Sequence, residues 1–443
     1  MQLHTEPRPC GSWRLAACVL ALCLAGAQHA RAQAPPPPER AVEFEDLGLT
    51  RAPEISARGA GLSGFVATTT DVTALINNPS LLCRIKQRTP MLGLSHESSE
   101  IVTTYTGIST GLSSDRSGLQ FMGASAAIPV FQGSLVPAVA VYRAIVSDLD
   151  IAYESAQPAE SRTDAFRLQQ AGTTYAFVAG FGIDLASVIS AGVSLSALEG
   201  GYQSLRQTHT HSEASPAAVD EYVVDDIDGD LDGFVARIGV ILYAHRHVHI
   251  AINVVTPTVV NSTTNQTRET TKVTENSTGT TTRETTSSSA EYLVPYRIDG
   301  GVALPCGDWL IALEAGACDW TQAAIDGQRM RLQNGNAVLG RTVDYRAGVE
   351  WTAPEWPLRL RTGVARLPFA PDYLQANRID NDRMEAVATE SAPLRYSFGA
   401  GIMLRESIVI DASFTLTHGE RSTQSFSETR NGSQVLIEGS YWF

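Results

Sequence analysis

From about residue 90 to the C-terminus, stretches of roughly 8–13 residues place an apolar side chain at every second position. Period two is the pattern of a strand with one apolar and one polar face. In the stretch 407–417, Ile408, Ile410, Ala412, Phe414 and Leu416 fall on one face, and Asp411, Ser413, Thr415 and Thr417 on the other. Tyr345, Ala347, Val349 and Trp351 oppose Asp344, Arg346, Gly348 and Glu350 in the same way. About fourteen such strands follow one another, near 90–97, 117–129, 133–145, 164–183, 187–203, 232–244, 248–258, 291–304, 308–319, 339–351, 357–367, 393–404, 407–417 and 432–443. A soluble sandwich alternates too, so the connections have to decide. Links at 131–134, 184–187, 244–247, 305–308, 352–356 and 405–407 are tight. Those at 98–116, 146–163, 204–231, 259–290, 320–338, 368–392 and 418–431 are long. Tight turns alternating with long loops over an even strand number mark a transmembrane antiparallel β-barrel. The expected fold class is all-β, with a barrel of about fourteen strands over residues 90–443.

The chain ahead of the barrel reads as three pieces. Residues 1–32 form a signal peptide: Arg14 closes a positive region, Leu15–Gly26 is a short apolar core, and Ala30-Arg31-Ala32 is a small-residue cleavage site. Twelve apolar residues are too few to span a bilayer as a helix. Residues 33–55 are a Pro-rich, acidic leader expected to stay extended or disordered. Residues 56–89 lack the strand pattern. Cys10, Cys18 and Cys23 belong to the signal, leaving Cys83, Cys306 and Cys318 as isolated thiols with no disulfide framework. A formal net charge of −14 argues against nucleic acid as a partner, which needs a basic face.

Within 56–89, Gly59, Gly61 and Gly64 lead into Thr68–Thr70 and Asp71, then a short apolar stretch and Asn77-Asn78-Pro79-Ser80. This run resembles the N-terminal hatch of the FadL-type outer-membrane transporters of long-chain fatty acids and aromatic hydrocarbons. There, an Asp-containing turn precedes an Asn-Pro-Ala motif that feeds the first strand; Ser80 stands here in place of the Ala. The resemblance implies a small N-terminal plug inside the lumen, passive transport of small hydrophobic molecules, and lateral exit into the bilayer through a kinked strand. It also implies ligand contacts from the hatch, for which Leu62, Phe65, Val66, Leu75, Ile76, Asn78, Pro79, Leu81 and Leu82 are the candidates. The amphipathic last strand ends on Phe443, which is similar to the signal read by the bacterial outer-membrane assembly machinery. The expected location is thus the outer membrane of a Gram-negative bacterium, among its lipid and lipopolysaccharide. The other reading open to the sequence is a barrel that anchors a surface or secretion complex through its long polar loops.

Two departures bear on the substrate. The third long loop ends in an acidic stretch, 221–233, and the fourth, 261–289, is almost wholly Thr, Ser, Asn and charge. Neither offers an apolar groove, although the Thr content favours prolonging the hairpin as a ribbon. Asp226, Asp228 and Asp230 with Gly229 are spaced like a calcium loop, but Arg237 stands where an EF-hand has its twelfth-position Glu. His245, His247 and His249 alternate at a tight turn with no carboxylate or thiol nearby in sequence. No metal site, cofactor or catalytic motif is expected, and the chain reads as a non-enzyme.

Overall fold

The computed structural model describes residues 47–443 apart from 50–53, 65, 106–107, 131–132, 158–160, 214–217, 275–276, 332–335, 371–372, 376–383, 406 and 425. The expected signal peptide and the leader up to residue 46 lie outside the described residues.

Fourteen antiparallel strands close into a ring. They are β1 (Thr89–Tyr105), β2 (Ile108–Ser125, continued by Ile128–Val130), β3 (Gly133–Val146, continued by Leu149–Gln157) and β4 (Arg162–Ala186). Next come β5 (Ile189–Ser212), β6 (Val219–His245), β7 (Val248–Val255, continued by Thr258–Thr274) and β8 (Ser277–Val294, continued by Arg297–Cys306). The ring finishes with β9 (Trp309–Asp319), β10 (Arg341–Thr352), β11 (Leu358–Arg366), β12 (Thr389–Leu404), β13 (Ile408–Ser422) and β14 (Phe426–Tyr441). Each strand pairs with its sequence neighbours, and β14 returns to β1 from Met91↔Ser440 to Tyr105↔Phe426. Closure leaves no sheet edge in hydrocarbon, the condition a membrane sets on any β structure.

The alternation runs apolar-out and polar-in. On β13, Ile410 and Phe414 are 39 % and 40 % exposed, while Asp411, Ser413 and Thr415 are 6 %, 4 % and 3 % exposed. Phe398, Tyr345, Leu313, Ile252, Phe177 and Leu94 continue the outer belt around the ring. A side chain on this belt must tolerate lipid. Replacing Ile410 with Arg is expected to cost about 2–4 kcal/mol if the site lies near the bilayer midplane. Urea unfolding of the barrel reconstituted in vesicles measures it.

All fourteen strands lie where the alternation puts them, but the outer ends were read too short. Most of 98–116, 146–163, 204–231 and 259–290, expected as loops, is strand in the structure. The acidic stretch 221–233 is likewise part of β6, not a loop: Asp232 pairs with Asn261 and Glu199, and Asp228 with Asn265 and Gln203. Charged and hydroxyl side chains are compatible with a sheet whose faces both meet water, so polarity is no sign of a loop there. The Thr-rich hairpin is a ribbon, as its composition favours, with Thr270↔Thr282 and Arg268↔Glu284 across it. Pro257 and Pro295 sit in facing breaks of β7 and β8, where neither could donate to the ladder. Cys83, Cys306 and Cys318 are free thiols.

Candidate functional site: the inner segment and the cavity beside it

Residues 54–88 touch the buried faces of strands all round the ring. Helix α1 (Ala57–Leu62) starts at Ser56, whose hydroxyl accepts from the Gly59 N–H. Its first amides donate to the Glu438 carboxylate of β14, Ala57 N–H at 2.7 Å and Arg58 N–H at 3.4 Å. A carboxylate there complements the unpaired amides of a helix start. The other end of α1 sits so close to the wall that a Cβ on Gly348 or Gly363 would lie 2.0 or 2.4 Å from the Leu62 carbonyl oxygen. Only glycine fits at either position.

A second seat holds the Asn-Pro turn. After helix α2 (Ala74–Asn77), Asn78 caps a 3₁₀ helix over Pro79–Arg84. The Asn78 amide donates to the Val66 carbonyl at 2.9 Å, and its oxygen accepts from the Ser80 N–H and hydroxyl at 3.2 and 2.7 Å. A Cβ on Gly192 or Gly239 would meet Pro79 C at 2.3 Å or Asn78 Oδ1 at 1.9 Å. Gly192→Val therefore leaves the turn no place to dock. The expected result is proteolytic cleavage within 54–88 in detergent-solubilised protein that still runs as a folded barrel on unheated gels.

Charge locks the segment as well as shape. Arg58 is bidentate on Glu350 of β10, at 3.1 Å from Nε and 2.8 Å from Nη2. Arg361 of β11 reaches the same carboxylate at 2.6 Å and also bonds Asp411 of β13. Ala67 N–H donates to Glu314 of β9 at 3.1 Å, and Arg84 bonds the Ala67 carbonyl at 3.1 Å and the His249 ring at 2.9 Å. Glu54 takes a bond from Arg395 of β12. Burial pushes the Asp71 carboxyl above its ordinary value, opposed by hydrogen bonds from the Thr73 amide and hydroxyl.

Most of the residues singled out from the sequence are brought together here. Leu62, Val66, Leu75, Asn78, Leu81 and Leu82 are fully enclosed, Ile76 is 5 % exposed and Pro79 is buried. Phe65 lies outside the described residues. None of the described ones lines the cavity of about 310 Å³ beside the segment. That cavity is bounded by Gly48 and Glu54 of the segment's start and by the inner faces of β1, β3, β10 and β14. Its apolar side is Trp320, Leu367, Pro368 and Phe369, the last stacked beneath Arg421 at 4.6 Å and Arg430 at 5.6 Å. Its polar side carries Arg143, Arg297, Arg346, Arg395 and Arg430 against Glu54, Glu97, Asp148 and Asp344. The volume suits a small organic molecule, and the two-sided lining suits one with an apolar body and a polar end. Arg346 was legible as the polar face of an alternating strand, whereas Arg430 lies in 418–431, expected as a loop and found largely as strand. Phe369 and Trp320 lie in connections without period and gave no signal.

The start of the segment is less free than its composition suggested. Leu47, Leu49 and Ile55, all within the Pro-rich leader, are 3 %, 7 % and 3 % exposed. Ser147 donates to the Leu47 carbonyl at 3.0 Å.

No protein-family profile matches the chain, and no curated protein matches it in sequence. Solved structures do match in fold. The toluene transporter TodX of Pseudomonas putida is 13 % identical, with a TM-score of 0.60 over 87 % of this chain and 97 % of its own. A FadL homologue of Pseudomonas aeruginosa is 11 % identical, with a TM-score of 0.60 over 88 % of this chain and 99 % of its own. The toluene transporter TbuX of Ralstonia pickettii is 12 % identical, with a TM-score of 0.55 over 87 % and 97 %. The chain therefore shares its overall fold with these three structures.

Proposed function

We propose that this protein is a passive channel for small hydrophobic molecules in the outer membrane of a Gram-negative bacterium. The observation that carries the reading is the amphipathic cavity enclosed between a seated inner segment and the wall of a closed barrel. The structures named above share that fold, and two of them are toluene transporters, which supports the choice. Residues 1–32 direct export, Phe443 serves the assembly machinery, and residues 56–89 act as the hatch. Leu62, Val66, Leu75, Ile76, Leu81 and Leu82 close the lumen and meet substrate only once the hatch shifts. Transport runs down a gradient, so the protein is not a catalyst and uses no cofactor.

The charged side of the cavity favours an acid-bearing amphiphile, of the fatty-acid kind, over a bare hydrocarbon. A neutral arene would strip water from these ions and return no hydrogen bond. Native mass spectrometry of the barrel extracted from its own membrane tests this. A co-purifying fatty acid, lost in a Phe369→Ala variant, is the expected result. A barrel that arrives empty but bound to another protein overturns the channel in favour of an anchor. The length of β4–β8 favours that second reading: strands of 24–27 residues in β4–β6 far exceed the roughly 9–11 a bilayer needs.

A further inference from the structure

The outer wall carries two hollows that meet. The lower, of about 690 Å³, is almost wholly apolar and crosses the lipid-facing side from β7 to β12. The upper, of about 360 Å³, is polar and lies across β12, β13, β14 and β1. Cross-strand register joins them in one row. Ile252, Gly300, Ala315, Tyr345, Arg366 and Leu394 stand side by side on successive strands. Beyond Leu394 the row goes on to His418, Asn431 and Glu100. It climbs as it goes: Ile252 is four residues above the start of β7 at Val248, and Glu100 is eleven above the start of β1 at Thr89.

The apolar part covers five strand spacings, about 24 Å at 4.8 Å each. At a tilt near 45° it descends about 17 Å, close to one leaflet of a hydrocarbon core about 30 Å thick. Its floor is small, with Gly300 and Ala315 between the taller Ile252 and Tyr345. A Cβ on Gly300 would meet nothing nearer than the Ala251 carbonyl oxygen at 4.0 Å. Arg366 breaks the apolar pattern. Leu360 and Val364 on the same face of β11 are 44 % and 39 % exposed, and Arg366 follows them, exposed, between Tyr345 and Leu394. It has no ion-pair partner among the described residues. A guanidinium on a lipid-facing wall is costly unless an anion meets it.

The upper hollow has a different chemistry. Tyr396 forms one side, half exposed, and Ser98, Glu100, His418, Asn431 and Ser433 form the rest. His418 Nδ1 and Asn431 Oδ1 are 2.7 Å apart, and the Asn431 amide donates to Glu100 at 3.4 Å. His418 Nε2 lies 3.4 Å from Glu420. An aromatic face beside amide, imidazole and carboxylate suits a sugar ring, whose C–H face packs on the aromatic while its hydroxyls exchange hydrogen bonds.

We propose that this trough holds one phosphorylated glycolipid of the outer leaflet. Its acyl chain lies over Gly300 and Ala315, its phosphate sits on Arg366, and its sugar rests against Tyr396 among His418, Asn431 and Glu100. The assignment rests on the outer-membrane placement proposed above. Charge sets the direction: Glu100 and Glu420 repel a phosphate from the upper hollow, and Arg366 draws it to the junction of the two. A phospholipid supplies chain and phosphate but leaves the upper hollow unfilled, so the site selects the glycolipid.

The test uses the full-length barrel, extracted in mild detergent and stripped of lipid, with purified diphosphoryl lipid A as the probe and native mass spectrometry as the readout. Wild type is expected to bind one lipid A, and Arg366→Gln to bind it roughly ten- to a hundredfold more weakly. Gly300→Leu, whose side chain grows into the trough and not into the wall, is expected to lose it as well, with the heat-resistant folded band on unheated gels unchanged. Lipid A without its phosphates is expected to bind wild type and Arg366→Gln alike. Equal binding of diphosphoryl lipid A by wild type and both variants overturns the site, and so does phosphatidylglycerol that binds as tightly as lipid A. A wild type absent from the outer-membrane fraction of a density gradient overturns the placement itself, an outcome read independently of lipid binding.

Discussion

Arg58→Leu is expected to turn a sealed barrel into a leaking one. The guanidinium holds α1 to the wall through two bonds to Glu350, and the substitution leaves that carboxylate with Arg361 alone in a lumen where both are almost fully buried. Breaking a buried pair by removing one partner costs about 3–5 kcal/mol. All of that falls on the docked state of the hatch, because the undocked Arg58 is solvated in any case. The docked-to-undocked ratio is then expected to fall by roughly two to four orders of magnitude, at about 1.4 kcal/mol per factor of ten. Single-channel recording in planar bilayers reads it directly: rare or absent openings in the wild type, frequent openings in the variant. The Gly348 and Gly363 seat and the Asn78 turn stay intact, so the hatch is expected to reseat between openings. A variant as quiet as the wild type would show that shape alone holds the segment.

The second large effect belongs to the wall itself. Arg361 has no side-chain exposure and joins Glu350 of β10 to Asp411 of β13 from the strand between β10 and β12. Arg361→Met removes the shared cation, leaving Glu350 to Arg58 alone and taking from Asp411 its bond to Arg361, with Glu438 and Asp71 close by. Two broken buried pairs would cost about 6–10 kcal/mol if independent; sharing one cation, they cost less, and about 5 kcal/mol is expected. The heat-resistant folded band on unheated gels should disappear at a lower temperature, and unfolding in urea should shift correspondingly. Arg361→Lys keeps a charge but not the fork that reaches two acids at once, so it is expected to fall between the two.

These two side chains also show what could be read without coordinates. Arg361 stands opposite Leu360 in a period-two pattern, so its inward direction was plain, and the same rule placed Asp411, Glu350 and Arg346 in the lumen. Which acid meets which arginine was not legible, because that depends on stagger between strands up to 61 positions apart in the chain, from Glu350 to Asp411. The Asn78-Pro79 turn was recognisable from its own residues, but its glycine seat on Gly192 and Gly239 comes from strands β5 and β6. The outer halves of β4–β8 were misread for a different reason. Hydrophobic periodicity reports burial, and a sheet wetted on both faces buries too little to show any.

That wetted sheet makes the molecule lopsided. Strands β9–β11 have 11, 12 and 9 residues, barely a bilayer's worth, whereas β6 has 27. At about 3.3 Å per residue and the usual tilt near 45°, the tall side stands on the order of 60 Å against a belt of about 25 Å. The mouth of the barrel is therefore fenced along one flank and open along the other. In the proposed channel, with the tall strands facing outward, arriving molecules would meet a windbreak of threonine and aspartate on the tall side, and the low side would be the approach left to anything greasy.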